Sequence, residues 1–179
     1  MPSPLAHTLA GLTVHVAAAR DEEELFDLRR IGVFVFAANA PDLDFLLNLF
    51  DGRNHHQQET HSVGFAALCA LASAALFRLW SWPRPFALGV TAGAAWLTHI
   101  VLDFLNHDTN PPIGLMALWP FSHEYYKFPW PVFLDVGRTF TWRTVRHDLL
   151  AGAWEALVLL PVLWLAWRLG RHRFLGGGR

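Results

Sequence analysis

His99 and Asp103 stand four residues apart in an apolar stretch, so on a helix both project from one face and can grip a single ion. A hydrogen bond between neighbouring turns would account for that pair alone equally well. Upstream, Pro41-Asp42-Leu43-Asp44 sets two carboxylates two residues apart. On an unbroken helix they would point in roughly opposite directions, but Pro41 disrupts the preceding turn and favours a helix start there. Aspartate capping of that start would explain one carboxylate better than two. The densest polar run, Asn54 to Ser62, carries His55, His56, Glu59 and His61. A solvated loop ending in a Thr or Ser cap is its plainer explanation. Neutral imidazole and carboxylate are the usual ligands of zinc and related divalent ions.

These residues sit in a chain whose composition is that of a membrane protein. Of 179 residues, 53% are hydrophobic, 16% are charged and nine are Trp; a soluble domain usually carries about a quarter charged residues. The net charge of −1 and the lack of a basic stripe exclude nucleic acid as a partner, and the single cysteine, Cys69, excludes a disulfide framework or thiolate site. Ten histidines in so apolar a chain call for a reason.

Segments 62–80, 86–105 and 149–169 are long and apolar enough to span a bilayer core of about 20 helical residues. Two more are weaker: 5–19 is short, and 31–50 is interrupted by Asn39, Pro41, Asp42 and Asp44. The expected fold is therefore all-α: one integral membrane domain over 1–179, a helical bundle of about five spans with a broken second helix, and a disordered tail at 173–179. With five spans, nine basic residues (Arg20, Arg29, Arg30, Arg78, Arg84, Arg168, Arg171, Arg173 and Arg179) fall on one side and five on the other. The richer side is then cytoplasmic. This topology puts His7, Asp42, Asp44, His56, Glu59, His61, His99, Asp103 and Glu155 in the same, outer leaflet. Ionisable groups at that depth cost several kcal/mol unless paired, hydrated or coordinated. His15, His123 and His172 are expected to be ordinary interfacial residues. His107-Asp108 and His147-Asp148 sit at the outer edge.

The ordered motifs resemble a bacterial inner-membrane family of metal-dependent hydrolases, the YdjM type, also described as LexA-binding. They are His7 and Gly11; Pro41-Asp42-Leu43-Asp44; His56 to Thr60-His61-Ser62; His99 to Asp103; Gly114; and Pro120-Phe121. The resemblance covers roughly residues 5–160. One departure stands out: Gln57 and Gln58 occupy positions where Arg and Gly are usual. That removes an arginine able to bind a substrate anion.

The expectation is a membrane-embedded, metal-dependent hydrolase of the bacterial inner membrane, with zinc in a site facing outside. Its substrate would be a lipid-linked molecule or phosphoester. Asp42, Asp44, His61, His99 and Asp103 are the leading ligand candidates, with His7 and His56 next. Seven candidates exceed one tetrahedral shell, so either two ions bind or some residues orient the ligands. Glu59 or Glu155 would be the general base. The ion would lower the pKa of water and polarise the scissile group. A transport or metal-handling protein is the alternative, but a conduit needs polar groups across both leaflets. A regulatory membrane partner without catalysis would leave the ligand-type side chains unexplained.

Overall fold

The computed structural model describes residues 1–109, 111–137 and 139–175, with side chains described as far as Arg171. It is helical: α1 (Pro4–Ala18), α2 (Glu22–Leu25), α3 (Leu28–Asn39), a 3₁₀ stretch (Ala40–Leu46), α4 (Asn48–Asp51), a 3₁₀ turn (Glu59–His61), α5 (Val63–Leu79), α6 (Pro85–Phe104) and α7 (Trp142–Leu175). Among the described residues, extended pairing is limited to isolated bridges, Asn106 with Phe133 and Leu115 with Tyr126. The disordered tail expected at 173–179 is corrected at its start, since α7 continues to Leu175; the rest of it lies outside the described residues.

Local chemistry sets the helix starts. Pro4 and Pro85 occupy first-turn positions, where a missing N–H costs nothing. Asp21 accepts from Glu24 N, Asp27 from Arg29 N, and Ser62 from Phe65 N, each satisfying an amide that its helix cannot.

Three segments are long and apolar enough to cross a membrane: Leu28–Asp51, Pro85–Phe104 and Trp142–Arg171; α5 is a shorter apolar helix. The break in the second segment takes a different form from the fresh helix start expected at Pro41. The chain tightens into 3₁₀ geometry from Ala40 and continues into α4. α7 contains Pro161 and exposes Leu149, Leu150, Leu157, Trp164 and Leu165, a surface suited to hydrocarbon rather than water.

Small residues bring the helices together, since lipid removes the hydrophobic drive for their association. On α6, Gly89 and Gly93 are four apart and face α5. A Cβ at Gly93 would lie 2.6 Å from the Ala70 Cβ, and one at Gly89 2.6 Å from the Ala70 carbonyl. An apolar core of Phe34, Ala37, Ala38, Phe77, Leu88, Ala92 and Ala95 joins α3, α5 and α6. The connection from α6 to α7 folds back over the segment holding His56 and His61. Met116 N donates to the Gln57 carbonyl at 3.0 Å, and Val63 N to Ala117 at 2.9 Å.

Candidate metal centre

Four side chains from three parts of the chain meet at one point: Asp42 from the 3₁₀ stretch, His61 from the turn before α5, and His99 and Asp103 from α6. His61 Nε2 and His99 Nε2 are 3.2 Å apart. Asp103 Oδ2 stands 3.3 Å from the first and 3.2 Å from the second. Asp42 Oδ1 is 3.5 Å from both. These five separations are edges of a four-donor polyhedron. A tetrahedral ion with ligand bonds of about 2.0–2.1 Å would require edges of about 3.3–3.4 Å. His61, His99 and Asp103 are buried, while the Asp42 side chain remains 17% exposed and so forms the open side.

The break at Pro41 builds part of this site. In 3₁₀ geometry the partner of a residue's N–H is the carbonyl three positions back. Pro41 has no N–H, so the Ala38 carbonyl is released, and it accepts from His99 Nδ1 at 2.8 Å. Because that acceptor forces the proton onto Nδ1, His99 turns an unprotonated Nε2 to the centre. His61 is held similarly. Its Nδ1 lies 3.0 Å from Thr60 Oγ1 and 3.2 Å from Asp44 Oδ2, and the Thr60 hydroxyl itself donates to Asp44. Trp96 Nε1 donates to the Thr60 carbonyl at 2.8 Å, fixing this turn against α6.

Asp44 points elsewhere than Asp42. It joins His56 and His61 in a second group that could hold a metal ion. Within that group His56 Nδ1 lies 3.1 Å from Asp44 Oδ1 and His56 stacks on Phe45, while His56 Nε2 has no hydrogen bond. His7 is fully buried and stacks on His99 with ring centroids 3.7 Å apart, its Nε2 3.7 Å from Asp103 Oδ1. Neither His7 nitrogen makes a hydrogen bond, nor do Asp42 Oδ1, either Asp103 oxygen or His56 Nε2, all buried. Unsatisfied buried polar atoms are costly and uncommon, so this concentration needs a partner. A cation meets the need of facing lone pairs and carboxylates. Carboxylate oxygens of Asp42, Asp44 and Asp103 lie 3.2–3.5 Å from the His61 ring nitrogens. The centre favours positive charge.

The remaining candidates fall outside these groups. Glu59 is exposed at the start of the His61 turn. Glu155 is buried and accepts from the Ser3 amide at 2.7 Å and from the Ser3 hydroxyl, which joins α7 to the start of α1. His55 pairs with Asp51 at 2.8 Å, away from the centre. His15, expected at the interface, is instead buried, with its Nε2 2.9 Å from the Leu25 carbonyl. Gln57, where the resemblance leads one to expect Arg, is buried too. With its amide in the satisfied orientation it donates to the Pro112 and Gly114 carbonyls and holds the covering loop.

Sequence reasoning missed Asn106. It follows α6 three residues after Asp103, is 1% exposed, and neither atom of its side-chain amide makes a hydrogen bond. The available signal was its spacing, seven residues beyond His99 and three beyond Asp103, which continues one helical face.

A multi-pass helical membrane protein with a buried His–Asp centre able to hold a metal ion is the class that fold and site define. The chain belongs to the YdjM inner membrane protein family, which matches residues 1–174. Comparison with curated proteins and with solved structures gave no match.

Proposed function

We propose that the protein is a membrane-embedded, metal-dependent hydrolase acting on a lipid-linked or phosphoester substrate at the outer face of the membrane. The observation that carries this reading is the set of 3.2–3.5 Å separations among Asp42, His61, His99 and Asp103, beside buried His7 nitrogens and a His56 Nε2 that make no hydrogen bond. These four residues would hold zinc. When bound, such an ion supplies Lewis-acid polarisation of an ester or phosphoryl oxygen and acidifies water. Asp44 would position His61 and His56, and a single ion accounts for the Asp42, His61, His99 and Asp103 donors. His7 would close the buried side of the centre, beside Asp103.

Asp42 is the exposed edge of the set, so substrate would approach past it and the adjoining Glu59 turn. Of the two glutamates, Glu59 is the better general base, since the Glu155 carboxylate is already engaged by Ser3. A conduit is disfavoured by the apolar layer of Phe34, Phe77, Leu88 and Ala92 on the far side of the centre.

The test is metal analysis of detergent-purified protein followed by a hydrolysis screen on phospholipid and phosphoester substrates. Hydrolysis that is lost on chelation and restored by zinc is the expected result. Metal-loaded protein that moves zinc across vesicles and hydrolyses nothing would establish transport instead.

A further inference from the structure

At the opposite end of the bundle lies a second polar site that the metal centre does not use. His15 is eight residues beyond His7 on α1, about 12 Å along the axis, and Arg84 precedes His99 by fifteen residues, about 22 Å on α6. There the end of α1, α2 and the starts of α3 and α6 enclose a cavity of about 210 Å³. Arg20, Arg30, Arg84, Glu24 and His15 are among its lining residues, backed by Phe34.

Three guanidiniums and one carboxylate share that lining. Glu24 pairs with Arg30 at 2.9 Å and with Arg84. Asp27 reaches Arg30 Nε at 3.3 Å from outside the cavity, yet that Nε makes no hydrogen bond although the Arg30 side chain is only 9% exposed. Among the described residues Arg30 and Arg84 are ion-paired, whereas the Arg20 guanidinium makes no ion pair, although Asp21, Glu22 and Glu23 follow it in the chain. Arg84 is also held at φ 52°, ψ 53°, in the left-handed region, immediately before Pro85. That conformation is disfavoured for any L-residue bearing a Cβ and again by the following proline, so the fold holds Arg84 in place against a local cost. Burial would raise the Glu24 pKa, but Arg84 and Arg30 bring it below its ordinary value, so Glu24 is an anion and its charge is already counted.

An apolar groove of about 540 Å³ adjoins the cavity through His15, which lines both. Leu12, Val16, Ile31, Trp164 and Trp167 line the groove between α1, α3 and α7. A cationic pocket at a span's end, opening beside an apolar channel along the helices, has the two-part chemistry of a phospholipid: a phosphate and an acyl chain.

We propose that the Arg20–Arg30–Arg84 cavity binds the phosphate group of an anionic phospholipid from the leaflet opposite the metal centre, with an acyl chain in the groove beyond His15. The site is independent of the hydrolase reading. Arg20 and Arg84 provide the accessible charge, Arg30 fixes the floor, and Glu24 orients both inner guanidiniums.

The test uses delipidated, detergent-purified full chain, with native mass spectrometry counting lipids retained from micelles doped with phosphatidylglycerol or phosphatidylcholine. At least about tenfold preference for phosphatidylglycerol is expected, with inorganic phosphate at equal concentration failing to displace it. R20Q and R84Q together should abolish the preference while metal content stays that of the parent. R20Q alone, which touches no ion pair, should weaken it several-fold and guards against misfolding of the double variant. Equal retention of the two lipids, or an undiminished preference in R20Q and the double variant, overturns the site. Displacement by inorganic phosphate at matching affinity overturns the lipid as its ligand.

Discussion

His61 and His99, 38 residues apart in the chain, face each other Nε2 to Nε2 at 3.2 Å with both Nδ1 atoms turned outward to fixed oxygens. Two unprotonated nitrogens at that distance repel unless a cation lies between them, and protonating one instead would cost the loss of a ligand. The same arrangement gives the surrounding residues separable tasks: Asp42 and Asp103 contribute negative charge to the centre, while Asp44 and the Ala38 carbonyl direct the rings.

That division predicts a graded response. Asp103→Asn preserves shape and removes charge from the centre, so metal content of the purified protein should fall to near background while the protein still inserts. Asp44→Asn leaves all four donors in place and only loosens His61, so metal affinity should drop on the order of 10–100-fold. Competition with a chelator of known affinity measures both. Equal losses from the two variants would contradict the assignment.

Much of this was legible because a helix repeats. His99 and Asp103 announce themselves at four-residue spacing, and Asp42, His61 and the α6 pair, expected to gather, do meet. The different destinations of Asp42 and Asp44 were not legible, because Pro41 reads as a fresh helix start able to bring both carboxylates to one site, whereas the chain runs on in 3₁₀ geometry, which nothing in the sequence selects and which turns residues two apart by about 240°. Nor was the Ala38 carbonyl, a backbone group exposed only by Pro41. His15 was misjudged since a helix-end histidine gives no sign that the last carbonyl of α2 will meet it.

The close approach of α5 and α6 makes a packing prediction. In Gly93→Val the new methyls would enter the space of the Ala70 Cβ, which a Cβ alone would approach to 2.6 Å. Overpacking of this kind costs about 1–3 kcal/mol. It also shifts the helix carrying His99, six residues on. Thermal unfolding in detergent should move down, and metal affinity should fall with it. Gly32, where a Cβ meets nothing within 4 Å, is the control, and Gly32→Ala, in the interior of α3, should lower neither.

Orientation is open to a labelling experiment. In a background with Cys69 replaced by Ala, a cysteine at Thr109 should react with an impermeant reagent added outside intact cells, and one at Ser81 should react only after lysis. Both positions are exposed. The opposite pattern would turn the centre toward the cytoplasm and remove the outer-face substrate.

A pH dependence follows from Glu24. Its folded pKa lies below the ordinary value because Arg84 and Arg30 outweigh burial. The contribution is therefore fully present above the unfolded pKa of about 4.3 and is lost as pH falls through the lower, folded one. The melting temperature of Glu24→Gln should sit below that of the parent at pH 7, and the gap should close under acid conditions. A gap independent of pH between 7 and 3 would mean that the carboxylate's charge contributes nothing. The group is only partly buried, so the effect should be modest and reduced by salt.

Asn106 gives the sharpest separation of stability from function. A buried amide with no hydrogen bond is a liability to the fold, and replacing it by an apolar side chain of similar branching is nearly neutral or stabilising. Asn106→Leu should therefore unfold at the same temperature as the parent or a higher one, and bind metal equally well, since the four donors are untouched. If the amide is retained to meet substrate beside Asp103, hydrolysis should nonetheless fall, on the order of tenfold or more for one lost polar contact at the reacting group. Asn106→Ala, which cannot overfill the site, should show the same loss and so separates a missing amide from a crowding leucine. Two variants that keep parental activity would leave Asn106 without a functional role, whereas a lowered melting temperature in both would reveal a hidden structural partner.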